Sequence, residues 1–137
     1  MLHLDGTLEG LYDVPTLTLR TSRGIRQEYG VPGLAALLAP YAGPQSHVIL
    51  EESQAMPGQG VRSMWTTGYG YGLWIGVLAT LQMPYTPVRP VVWKKAFSLG
   101  KDKEAARLRA MQLFPTADLR RKKGHGRAEA LLLSHYG

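Results

Sequence analysis

At 137 residues the chain is long enough to bury a real core as one domain without metal or disulfide staples. It contains no cysteine, which excludes a disulfide framework, thiol catalysis and a cysteine-held zinc and favours a reducing compartment such as the cytoplasm. The net charge of +6 is uneven, with eleven Lys or Arg against three acidic residues between Lys94 and Arg127, and this asymmetry suggests a polyanionic partner, nucleic acid first. A solubilising basic face would give the same counts.

No apolar run approaches the roughly 18 residues of a membrane span, so no membrane partner is expected. The opening MLHLDGTLEG has neither the basic nor the apolar region of a signal peptide, so a soluble, untargeted protein is expected. Leu2–Leu4 and Leu8–Tyr12 flank Asp5-Gly6, a dipeptide suited to a tight turn, and predict a hairpin. Leu17 and Leu19 alternate with Thr16, Thr18 and Arg20 and predict a strand, followed by a polar stretch. Pro32 near the start and Pro40, Gly43 and Pro44 at the end delimit a short helix over LAALLAPYAG. His47–Leu50, HVIL, predicts a buried strand ending at Glu51 and Glu52.

The glycine- and aromatic-rich segment from Ser53 to Gly72 predicts a long loop feeding a helix from about Ser63 to about Leu81. Tyr85–Val92, with prolines at 84, 87 and 90, predicts an edge strand interrupted by bends. Lys101–Phe114 is rich in helix formers, with Ala105, Leu108, Met111 and Gln112 on one face, and Pro115 stops it. A last helix from about Gly126 to Tyr136 turns Ala128, Leu131, Leu132 and Tyr136 toward the core. The sum is a single α/β domain over residues 1–137, a mixed sheet flanked by helices.

Three groups of residues carry chemistry. Glu51 stands where a buried strand surfaces, the place where ligand sites collect in open α/β sheets, and its carboxylate suits a hard divalent ion. Glu52 points to the opposite face while the strand persists, so only one of the pair can serve a given site. His125 and Glu129 are four residues apart and share a helix face, where they could hold a metal together or place an acid or base beside it. Basic runs at Lys94-Lys95, Lys101, Lys103 and Arg120–Lys123 lead to that pair and suit phosphates. Met56-Pro57, Trp65, Tyr69 and Tyr71 are apolar side chains that could wedge into or stack on bases. Trp74 and Trp93 are expected in the core, and Met56 is expected to be exposed.

The order of these parts resembles one family. ILEESQAMPGQGVRSMW, GYGYGLWIGVL, VRPVVWKKAFSL, KDKEAARLRAMQLFP and RRKKGHGRAEALLLSHYG follow one another as in the RuvC-like Holliday junction resolvases of phages and their chloroplast relatives, over about Leu4 to Gly137. The resemblance implies an RNase H-like fold and a structure-selective endodeoxyribonuclease of DNA recombination and repair, in a bacterium or a phage-infected cell. It further implies that four-way junction DNA is cut by a homodimer using two Mg²⁺ or Mn²⁺ ions per site. By position, Glu51 matches the strand-four glutamate, and His125 and Glu129 match the pair on the last helix. Lys94, Lys95, Lys122, Lys123 and Arg127 would grip phosphates, and Met56, Gln59, Arg62 and Trp65 would meet the junction.

Two departures matter. Gly124 stands where the family's last motif often has an aspartate. The family's first strand, which ends in a catalytic aspartate, has no match, because MLHLDGTLEGLYDVPTL matches the later hairpin and makes Asp5 a turn residue. On that alignment the first strand precedes Met1; on the rival alignment MLHLD is that strand and Asp5 completes the catalytic, metal-binding set. A chain without the aspartate could bind junction or duplex DNA without cutting it. A basic RNA-binding protein unrelated to nucleases is a third reading, which the ordered motifs oppose.

Overall fold

Two helices near the C-terminus owe their pairing to small residues at the contact. In the computed structural model, which describes residues 1–100, 102–119 and 124–137, these are α4 (Lys103–Leu113) and α5 (His125–Tyr136). Ala106 and Ala110 of α4 and Ala128, Leu131, Leu132 and Leu133 of α5 are buried in one cluster with Val88, Trp93, Phe114 and Leu119. Alanines at the contact let the helices approach closely and leave the volume to the leucines opposite. Asp102 caps α4 by accepting a hydrogen bond from the Glu104 N–H at 2.9 Å.

The chain packs as two compact units. The first comprises Met1–Asp13, Ile49–Glu51 and Pro87–Gly137, and the second Val14–Val48 and Glu52–Thr86. In the first unit the N-terminal segment makes the expected tight hairpin, with a Leu2–Leu8 bridge, a His3 N–H to Thr7 carbonyl bond of 3.0 Å and Gly6 at φ 82°. Leu2, Leu8 and Leu11 pack on the core cluster. Helix α3 (Pro90–Ala96) puts Trp93 into that cluster with no exposed surface. The sequence predicts a strand through Val92, but Pro90 opens a helix, where its fixed φ and missing N–H carry no penalty.

In the second unit β1 (Thr16–Thr21) and β2 (Gly24–Tyr29) form an antiparallel hairpin with Thr16 opposite Tyr29 and Thr21 opposite Gly24. Strand β2 is the polar stretch after the predicted strand. Its hydrophobic pattern is absent because the hairpin is mostly exposed, Ile25 included at 72%, and is held by backbone pairing and a Gln27 amide to Thr18 hydroxyl bond of 2.8 Å. Helix α1 (Val31–Leu38) begins with proline in its first turn and buries Leu34 and Leu38. Helix α2 (Val61–Thr80) is the long helix expected after the loop and buries Gly70, Val77 and Leu78.

Strands β3 (Val48–Glu51) and β4 (Tyr85–Val88) are hydrogen-bonded neighbours. The mixed sheet is thus realised as two two-stranded sheets. The extended N-terminal residues bridge neither sheet among the described residues, since their backbone groups are used within their own hairpin. No helix of the described residues is long and apolar enough to cross a membrane.

Three residues expected on buried faces, Leu108, Gln112 and Tyr136, are exposed. The buried face of α4 is displaced by one residue from the expected one: Leu108 is 49% exposed and Gln112 is exposed, while Ala106 and Ala110 are buried. Hydropathy weights leucine above alanine, whereas close helix contact selects the smaller side chain. Tyr136 is 38% exposed at the C-terminal end of α5. Urea unfolding of two variants checks this packing: Leu132→Ala is expected to cost about 2–5 kcal/mol, and Leu108→Ala less than about 0.5 kcal/mol.

Candidate active site

A buried indole cannot leave its N–H without an acceptor. Trp93 solves this by donating to Oε2 of Glu51 at 2.8 Å, which fixes the carboxylate at the end of β3. The next residue, Lys94, donates its Nζ to Oε1 of Glu129 at 2.7 Å, with both side chains about one-quarter exposed. The same ammonium lies 5.2 Å from the Trp93 ring centroid, within cation–π range. Adjacent residues of α3 therefore hold the two glutamates that the sequence singles out, one from β3 and one from α5.

His125 stands at the start of α5 with Nδ1 3.2 Å from the Lys103 carbonyl oxygen. A carbonyl only accepts, so that contact is a hydrogen bond when Nδ1 carries the proton. In the neutral ring this leaves the Nε2 lone pair for a proton or a metal. Two residues along the same helix, Arg127 makes a bidentate pair with Asp13 through Nε and Nη2 at 2.7 and 2.6 Å. The hydrogen bond and charge of Arg127 hold the Asp13 carboxyl below the ordinary aspartate range, and Asp13 raises the guanidinium's affinity for its proton.

Asp5 is a turn residue. Its carboxylate accepts from the Thr7 N–H at 2.8 Å and the Thr7 hydroxyl at 2.7 Å, and these bonds lower its pKa. Among the described residues no three His, Asp or Glu side chains gather as a metal-binding group, so Asp5, Glu51, His125 and Glu129 do not form one closed cluster. Glu52, on the neighbouring position of the chain, belongs to the second unit. Burial, with the charge of Glu52 adding to it, pushes the Tyr71 hydroxyl up.

The expected phosphate and junction residues divide. Met56 is 64% and Trp65 74% exposed, and Arg62 and Lys95 are also exposed. Gln59 is engaged locally, accepting from the Met56 N–H at 3.2 Å and donating to the Ser63 hydroxyl at 2.9 Å, so it shapes its loop. Lys94 and Arg127 are held by acids. Lys122 and Lys123 lie outside the described residues, as do Lys101, Arg120 and Arg121.

Sequence reasoning assigns Trp93 to the core and does not single out Asp13. The signal for Trp93 was its polar nitrogen, which a buried position obliges to find an acceptor. Asp13 carried none, because a partner 114 positions away leaves no local spacing.

No protein-family model matches the chain. The chain superimposes on the RuvC of T. thermophilus, solved in complex with a Holliday junction substrate, with a TM-score of 0.59 at 10% identity, covering 88% of this chain and 84% of that one. The fold is RuvC-like. It is thereby an RNase H-like α/β fold, as the sequence motifs imply. In sequence the chain is 36% identical over 109 residues to the chloroplastic Holliday junction resolvase MOC1 of Chlamydomonas reinhardtii. That match covers 75% of this chain and 12% of the algal protein, so this RuvC-like chain spans about an eighth of the length of that relative.

The Arg127–Asp13 pair has a definite pH signature. Because the folded pKa of Asp13 is depressed, the pair's contribution is complete above the unfolded aspartate value of about 4 and is lost as pH falls through the lower folded midpoint. A carboxyl NMR titration of Asp13 is expected to give that low midpoint, and Arg127→Gln to return it to the ordinary range.

Proposed function

We propose that residues 1–137 form a single RNase H-like nuclease domain that cuts four-way DNA junctions. The observation that carries this reading is the placing of Glu51 and Glu129 by adjacent residues of α3 in a chain of RuvC-like fold. The 36% identity to a chloroplastic resolvase supports the junction as substrate.

The donor set fits a hard divalent cation. Mg²⁺ is commonly held by one or two carboxylates, waters and substrate phosphate oxygens, which asks no more than Glu51 and Glu129 offer. The Lys94 ammonium against Glu129 already marks a place where positive charge is accommodated. Two ions, the number the family resemblance implies, need oxygen ligands beyond these two carboxylates. When bound, Mg²⁺ or Mn²⁺ supplies Lewis-acid activation of water and charge neutralisation at the phosphate.

The chain's own residues do the rest. The Trp93 N–H holds one Glu51 oxygen and leaves the other for a ligand. Nε2 of His125 takes or gives a proton, with the Lys103 carbonyl orienting the ring. Lys94, Lys95, Lys122, Lys123 and Arg127 hold phosphates, and the exposed Met56 loop meets the junction. Two symmetric nicks in a two-fold substrate call for a homodimer with a two-fold axis.

A second reading is favoured by one observation: Asp5 closes its own turn, and no group of three metal ligands gathers among the described residues. On that reading the chain binds junction DNA by its basic surface, with salt-sensitive affinity, and does not cut. The deciding experiment is incubation of the chain with a labelled four-way junction in Mg²⁺ or Mn²⁺, reading gel shift and nicking together. Symmetric nicks are expected from the native chain and none from Glu51→Gln with binding retained. Trp93→Phe, which keeps an aromatic side chain but removes the N–H together with part of the buried volume, is expected to lower cleavage about 10- to 100-fold. Binding without nicks by the native chain establishes the second reading, and neither binding nor nicking defeats both.

A further inference from the structure

The second unit carries a concave site that the carboxylate chemistry does not use. Arg62, Trp65, Thr66 and Tyr69 follow one another at helical spacing along a single stripe of α2. This stripe and the residues Arg26 to Tyr29 of β2 line a groove of about 660 Å³, within the usual roughly 300–1,000 Å³ of small-ligand sites.

Its wall is aromatic. Trp65 is 74% and Tyr69 50% exposed, and the Tyr29 ring lies 6.1 Å from that of Tyr69 at 49°. Gly70 makes this possible, because a Cβ at that buried position would collide with the Tyr29 ring and hydroxyl. Two guanidiniums flank the rings. Arg26 is paired with Glu28, and Arg62 is exposed with no carboxylate partner among the described residues.

We propose that this groove binds an unpaired nucleotide of a DNA strand, its base stacked on Trp65 and its phosphate held by Arg62. The inference rests on the nuclease reading and deepens it by naming a single-stranded subsite. An exposed indole offers a flat π-face that any base can cover, and only an unpaired base presents its own face in return. A guanidinium beside the rings supplies the charge that the phosphate requires.

The test uses the full chain, an oligothymidylate and a fully paired four-way junction, read by quenching of tryptophan fluorescence, by anisotropy and by sedimentation. The oligothymidylate is expected to quench the exposed tryptophan. Trp65→Ala is expected to weaken its binding about ten-fold, with Trp65→Phe retaining most of the affinity. Arg62→Gln is expected to reduce the slope of log affinity against log salt by about 0.7, one phosphate contact on a single strand.

Unchanged oligothymidylate binding by Trp65→Ala overturns the proposal, and junction binding by the same variant leaves the nuclease reading standing. Conversion of a dimer to a monomer by Trp65→Ala, with oligothymidylate binding unaltered, also overturns it and makes the groove a contact between copies. Failure of the native chain to bind the junction counts against the nuclease reading, while its oligothymidylate affinity still decides the subsite.

Discussion

The hydrogen bond from the Trp93 indole to Glu51 is the constraint on which the first unit depends. Trp93 is the largest side chain of the core and has no exposed surface, so its N–H must be met inside the protein or cost about 1–3 kcal/mol. A carboxylate meets it, and the strand end carrying that carboxylate is thereby fixed to the helix carrying the indole. Since Lys94 follows directly, the same turn of α3 fixes Glu129 of α5. Packing and the site are thus one arrangement: a change that moves Trp93 for reasons of volume also moves both carboxylates.

The start of α5 is held from a different direction. Arg107 of α4 reaches the Leu119 carbonyl at 2.9 Å while Glu104 engages its guanidinium, so the chain leaving α4 is tied back before α5 begins. The Lys103 carbonyl then orients His125, and Asp13 from the N-terminal hairpin holds Arg127. Each polar side chain on the first turns of α5 has a partner from another part of the unit. Such partners limit the rotamers of His125, Arg127 and Glu129, which is how a site gains orientation without depending on the modest energy of individual partly exposed pairs.

Much of this was legible in the sequence wherever burial and period coincide. The proline-led α1 and the apolar stripe of α5 follow from side chains that leave water, the HVIL strand is partly buried, and β1 is legible from its alternation although its side chains stay exposed. The misses share a cause. Strand β2 is exposed, so hydropathy has nothing to report. The first turn of α3 was hidden by Pro90, which suits a helix start as well as a bend. The buried face of α4 is alanine, which periodicity discounts. Spacing and motif order single out the glutamates and the histidine of the candidate site, whereas Trp93 and Asp13 act through partners far away in sequence, which no local pattern contains.

The acidic partners also change how the basic surface should be understood. Lys94 and Arg127 do not stand free; each already holds a carboxylate, Lys94 with a single contact and Arg127 with a planar fork. A phosphate offers Arg127 the same bidentate geometry that Asp13 does, so exchanging one for the other preserves both hydrogen bonds and costs little reorganisation. Lys94 differs, because leaving Glu129 strips a partly buried carboxylate of its counter-charge, and that charge then favours another cation in the ammonium's place. On the nuclease reading, cation arrival at Glu129 and release of Lys94 toward an incoming phosphate would be mutually reinforcing, whereas Arg127 would exchange partners independently. On that reading the charge excess between Lys94 and Arg127 would not act as a uniform adhesive for DNA, because Lys94 already holds Glu129 and its availability would depend on what else occupies that carboxylate.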